Sequence, residues 1–217
     1  MLEKAEKVTL IEEVFNSITH GIGILISLAG LVVMVVFSSL YGDAMHVVSS
    51  AVFGTTLVLL YTASTLYHSS RNPELKHILR IIDHSCIYAL IAGTYTPFAL
   101  VTLHGALGWT IFAVVWSLTI LGIIFKVFFI NRFKIISTLA YILMGWIIII
   151  AIKPLIQALP ANAIAWIVSG GIVYTMGTIF YMWNKLPFNH AIWHFFVLAG
   201  SFCHFYAVMF HVIPLNN

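Results

Sequence analysis

The stretch IISTLAYILMGWIIIIAIKPLIQ, residues 135–157, holds a single charged residue, Lys153. It is close to the ~20 apolar residues that a helix needs to cross a bilayer. Six further stretches read the same way, at about 21–41, 47–68, 82–103, 107–130, 160–183 and 190–213. Backbone groups in lipid must be satisfied within their own segment, so uninterrupted runs of this kind are helices. The breaks between them collect polar and turn-forming residues, such as Gly42-Asp43, Ser69 to Pro73, Asn131-Arg132, Pro160 and Asn184 to Pro187. The sequence therefore predicts an all-α bundle of seven transmembrane helices.

Composition agrees. Of 217 residues, 61% are hydrophobic and only 8% are charged, with a mean hydropathy of +1.04. A soluble domain carries about 25% charged residues because its surface meets water. The net charge of +3 forms no basic stripe, so nucleic acid is not an expected partner, whereas membrane lipids are. Cys86 and Cys203 lie inside apolar runs without metal-finger or redox spacing, and read as small packing residues. The first apolar run exceeds the ~7–15 residues of a cleaved signal, and the chain before it is acidic, so that run is expected to remain as a helix.

Lysine and arginine set the orientation. Lys4, Lys7, Arg71, Lys76, Arg80, Lys126, Arg132, Lys134 and Lys185 fall on one side of the predicted bundle and Lys153 alone on the other. Loops rich in these residues stay in the cytoplasm. The expectation is a cell-membrane protein with its N-terminus inside and its C-terminus outside. Residues 1–20 place Leu10, Ile11, Val14, Phe15 and Ile18 at helical spacing among polar residues. They read either as an interfacial amphipathic segment ahead of a 21–217 transmembrane domain, or as an extension of the first span. Pro97 is expected to bend the third span, and glycines in the sixth and seventh to allow close helix contact.

Ionisable residues within a span are costly and usually face a bundle interior or cavity. The alternating direction of the spans brings His20, Ser64, His68, Asp83, His84, His190 and His194 to one depth, on the cytoplasmic side. His190 and His194 are four apart and share a helical face, as do Ser64 and His68. Two imidazoles at this spacing can hold one metal ion. His68 would complete three protein ligands with one position open, the arrangement of catalytic zinc. Asp83 could orient water or accept its proton. The competing reading is a buried polar network that only joins helices. His204 lies ten residues beyond His194, about 15 Å along the helix, and is expected to hydrogen-bond across helices rather than share that metal. His46, His104 and His211 read as residues of the outer interface, and His77 as part of the basic second loop.

These residues resemble the bacterial hemolysin III family, the prokaryotic branch of the progestin and adipoQ receptor family. The matching pieces are Glu13-Val-Phe-Asn16-Ser-Ile-Thr19-His20, Ser64-Thr-Leu-Tyr-His68, Asp83, His190-Ala-Ile-Trp-His194 and His204-Phe-Tyr. The resemblance implies a seven-helix fold with zinc held by His68, His190 and His194, and with Ser64 and Asp83 nearby. It also suggests kinship with membrane hydrolases of lipid amides. Three functions follow as expectations. The first is zinc-dependent hydrolysis of a lipid amide or ester, with Asp83 and Ser64 as catalytic groups. The others are a non-enzymatic membrane regulator with structural zinc, and a cytolytic pore-former. A pore-former that enters foreign membranes is usually soluble first, and this chain is too apolar for that.

Overall fold

A computed structural model describes the backbone of residues 2–215 and the side chains of residues 10–215. Among the described residues there are seven helices long and apolar enough to cross a membrane, and no strand. The first helix is Leu2–Tyr41 and the second Ala44–Ser69. The third is Pro73–Pro97, continued to Leu103 by a π-helical turn. The fourth is Gly105–Phe129, the fifth begins at Lys134, the sixth is Ala161–Met182 and the seventh Asn189–His211.

Two helices start earlier than the apolar runs suggest. The first continues without a break through residue 20. The third begins at Pro73, more than two turns before residue 82. Asn72 accepts hydrogen bonds from the Glu74 and Leu75 amides, and Pro73 takes the first helical position, where a missing N–H costs nothing. The second helix starts as sharply: Asp43 accepts from the Met45 and His46 amides, and the His46 ring reaches back to Asp43.

Pro97 coincides with a change of winding rather than a simple bend, because the π turn Phe98–Leu103 follows it directly. The fifth span is also discontinuous. Its α-helix ends at Gly145, a 3-10 stretch covers Ile147–Ala151, and Ile152–Ala158 completes the crossing. Pro154 cannot donate to the carbonyl of Ile150, which explains why regular winding fails just before it. The third span repairs the break. The Tyr95 hydroxyl donates to the Gly145 carbonyl at 2.7 Å and accepts from the Ile148 amide at 2.9 Å. In lipid such groups would otherwise lack partners.

The helices that carry Ser64, His68, Asp83, His84, His190 and His194 are the most enclosed ones. The second, third and seventh have 44%, 67% and 56% of their most apolar stretches buried, against 28% or less for the other four. Lys126 is also enclosed, at 3% exposure. Its ammonium donates to Ser137 Oγ at 2.8 Å and lies 5.5 Å from the Tyr141 ring centre, so it is a buried cation within the fourth span rather than a loop charge. Cys86 and Cys203 are free thiols, and Cys86 packs against the apolar core.

Candidate metal centre

One helical turn of the seventh span presents His190 and His194 on the same face, and the end of the second span brings His68 against them. The three ring centres form a nearly regular triangle with sides of 4.7, 4.9 and 5.0 Å. One nitrogen from each ring lies within 4.8 Å of the other two. The His68 and His194 side chains are buried, at 6% and 1% exposure.

The first span decides which nitrogens converge. The His68 Nδ1–H donates to Glu13 Oε2 at 3.0 Å, and the Asn16 amide approaches the same nitrogen at 3.4 Å. The His194 Nδ1–H donates to the Asn16 carbonyl at 3.2 Å. His68 Nε2 is left buried with no partner among the described residues. An imidazole whose Nδ1 is tied to a carboxylate or carbonyl and whose Nε2 is free is oriented as a metal ligand. Glu13 is anchored in turn by Lys76 Nζ at 2.9 Å. His20 then stacks on His194 with ring centres 3.6 Å apart and planes 7° from parallel. Residues 13, 16 and 20 recur at spacings of three and four, so they form one helical face.

The donor set and the stranded nitrogen both fit a metal ion, and three imidazoles are a zinc donor set. Ser64 and Asp83 stand on the wall of the cavity beside His190 and His194. The Ser64 hydroxyl is buried without a partner among the described residues, and Asp83 lies 3.4 Å from His84 Nδ1. His84 Nδ1 also donates to the Arg80 carbonyl, and its Nε2 meets the Tyr181 hydroxyl at 3.3 Å. The structure does not bring His204 to the metal centre. A cross-helix hydrogen bond is expected of this ring, but its Nδ1 has no partner among the described residues. It stacks on Tyr174 instead, with planes 16° apart.

Glu13, Asn16 and His20 received no role from the sequence. Their signal is the spacing of three polar side chains, one of them a carboxylate, along one face of the amphipathic segment that leads into the first span.

From this centre a cavity of about 180 Å³ runs into the bundle. Its walls beyond the histidines are mainly apolar, including Leu60, Ile91, Ile148, Ile152, Ile167 and Val197. Ile142 and Thr178 border both this cavity and an outward-facing groove between the fifth and sixth spans. That groove carries the exposed side chains of Ile135, Leu139, Ile179 and Trp183.

Residues 8–205 match the family described as Haemolysin-III related. The chain is 51% identical over 216 residues to Hemolysin-3 of Bacillus cereus, covering 99% of each protein. It is 52% identical over 207 residues to the Hemolysin-3 homolog of Bacillus subtilis (strain 168), covering 95% of this chain and 97% of that one. More distantly, it is 24% identical over 208 residues to the human Monocyte to macrophage differentiation factor, covering 93% of this chain and 85% of the other. A seven-helix bundle with three enclosed histidines, matched over nearly its whole length, thus belongs to the hemolysin III family within the progestin and adipoQ receptor proteins.

Proposed function

We propose that this protein is a zinc-dependent membrane hydrolase acting on a lipid amide or ester. The observation that carries the reading is a set of three imidazoles with one nitrogen each within 4.8 Å of the others, two of them, His190 and His194, on the wall of a mainly apolar cavity. A metal that only joins helices needs no cavity beside it, whereas a lipid substrate needs both. His68, His190 and His194 hold the ion. A zinc ion held there would supply Lewis acidity toward a carbonyl and toward water.

The surrounding side chains divide the remaining work. The apolar walls accept the acyl chain and exclude bulk water, which strengthens every polar interaction at the reacting carbonyl. The Ser64 hydroxyl, which has no partner among the described residues, donates to the carbonyl oxygen as negative charge develops there. Asp83 accepts the proton of the attacking water and returns it to the departing amine or alcohol as the carbonyl C–N or C–O bond breaks. Glu13 and Asn16 hold the ligand rings in register. The groove between the fifth and sixth spans offers lipid a lateral way in.

Asp83→Asn tests the assignment. The variant should retain about one zinc per chain while losing at least 100-fold of its turnover of a long-chain N-acyl amide in nanodiscs, a typical scale for a general base. Unchanged turnover would return zinc to a helix-joining role. Cytolysis, which the name of the Bacillus cereus relative attaches to that protein, would require leakage from protein-free liposomes after adding protein without detergent; none is expected.

We also place the histidine end in the cytoplasm, on the charge bias of the loops. Alkaline phosphatase fused after Asn217 should be active, and fused after Lys134 inactive. The reverse pattern would invert the site.

A further inference from the structure

The metal reading leaves one enclosed histidine unused. His204 is 8% exposed and lines the same cavity as His190 and His194. Its Nδ1 is buried without a hydrogen-bond partner among the described residues. Stranding such a group is unfavourable, and no described residue relieves it.

The ring is nevertheless held firmly. On one face Tyr174 stacks at 5.6 Å between ring centres. The Tyr174 hydroxyl meets Ser201 Oγ at 2.8 Å, and Ser201 also accepts from the Tyr61 hydroxyl at 2.7 Å. On the sixth span Gly170 makes room for the ring, because a Cβ there would stand 2.6 Å from His204 Nε2. Tyr174 and Gly170 fix the position of the imidazole, and neither bonds to Nδ1. The ring thus stands on the wall of a mainly apolar cavity, and its Nδ1 has no hydrogen-bond partner among the described residues.

We propose that His204 is a second polar anchor for the bound lipid and recognises a hydroxyl in the middle of its acyl chain. The proposal rests on the reading that the histidine end holds the acyl carbonyl. Distance selects the carbon. His204 lies ten residues beyond His194, about 15 Å along the helix. A metal–oxygen contact takes about 2 Å of this, and a hydrogen bond to the imidazole about 2.8 Å. The remaining ~10 Å is spanned by about eight carbon–carbon bonds, each ~1.5 Å long and advancing ~1.25 Å in an extended chain. Some curvature of the chain adds a few more, so the hydroxyl falls at roughly carbons 9 to 12. A hydroxyl at carbon 2 would sit beside the metal, and an unsubstituted chain would leave His204 stranded. Sites built to hydrogen-bond a hydroxyl discriminate against analogues that lack it.

The test uses the full chain, loaded with zinc in nanodiscs, and measures displacement of a fluorescent long-chain fatty acid. The competitors are octadecanoate and its 2-hydroxy, 10-hydroxy and 12-hydroxy derivatives, the acid being the product of the proposed hydrolysis. The 10- or 12-hydroxy acid should bind about tenfold more tightly than octadecanoate, the scale of one buried hydrogen bond. The 2-hydroxy acid should show no such gain through His204. In His204→Phe the mid-chain advantage should vanish while octadecanoate binds as before and zinc content holds. Equal affinities for octadecanoate and the mid-chain hydroxy acids on the wild-type protein would overturn the proposal without any variant, and would leave the hydrolase reading standing. If no acid displaces the probe from zinc-loaded protein, the lipid reading and this proposal fall together.

Discussion

In the histidine cluster, the His68 and His194 Nδ1 groups are each tied to the first span, and one nitrogen from each of three rings lies within 4.8 Å of the other two. Ten residues further along the same seventh helix, His204 has its ring clamped between Tyr174 and Gly170 and no bond to Nδ1. Both ends contain enclosed imidazoles in apolar surroundings. They differ in what the neighbouring helices do with hydrogen bonds. At the first end the bonds aim the rings, which suits a cation needing several lone pairs at once. At the second they aim a tyrosine that positions a single ring, which suits one directional contact with a neutral group.

The comparison breaks most visibly on metal content. On the proposed assignment His194→Ala leaves two of three protein ligands, and zinc should fall from about one per chain to a small fraction after dialysis. His204→Ala should leave it unchanged. Metal analysis of detergent-purified protein distinguishes the two. Zinc lost from the His204 variant but kept by the His194 variant would mean that the centre has been assigned to the wrong histidines.

A smaller effect is expected from the residues that aim the ligands. Glu13→Gln keeps the shape but removes the carboxylate that accepts from His68 and pairs with Lys76. Such outer partners typically contribute 10–100-fold to metal affinity. Competition against a chromophoric chelator should show a loss in that range. Lys76→Met should lose less, because Lys76 acts only through Glu13 and its side chain is about a third exposed. An unchanged zinc affinity in Glu13→Gln would reduce the first span to packing.

Much of this was readable before the structure. The seven spans follow from the length of their apolar runs, because lipid leaves the backbone no alternative. His68, His190 and His194 were readable as one group because an i,i+4 pair and a shared depth restrict where imidazoles can meet. Other features depend on what faces a residue, and no spacing within one helix reports that. Glu13, Asn16 and His20 lie on a face that resembles an interfacial helix until the second and seventh spans are packed against it. His204 carried the expectation of a cross-helix hydrogen bond, but the missing Cβ of Gly170 lets the ring lie against the sixth span without one. Apolarity marks the stretch that crosses lipid and not where a helix starts. The third helix obeys its Asn72 cap and Pro73, and runs through the charged residues between Glu74 and Arg80.

The finest distinction between the two ends is tested at Ser201. Its hydroxyl joins Tyr61 on the second span to Tyr174 on the sixth, at 2.7 and 2.8 Å. Side-chain hydrogen bonds between membrane helices average about 0.6 kcal/mol each, because the unfolded chain in lipid also finds partners. Ser201→Ala should therefore cost only about 1 kcal/mol of stability by that scale, measured by unfolding in mixed micelles. Zinc affinity should not change, because neither bond touches a ligand ring. The ring of Tyr174 would lose its tether, so the preference for a mid-chain hydroxyl should weaken while octadecanoate binds as before. A fall in zinc affinity comparable to that of Glu13→Gln would contradict this division of labour. The route for such a fall exists, since Tyr61 meets His20 edge-on at 5.0 Å and His20 stacks on His194. Contacts of that kind transmit little unless the rings move together, and the enclosed packing of His20 and Tyr61, at 3% and 2% exposure, opposes such movement.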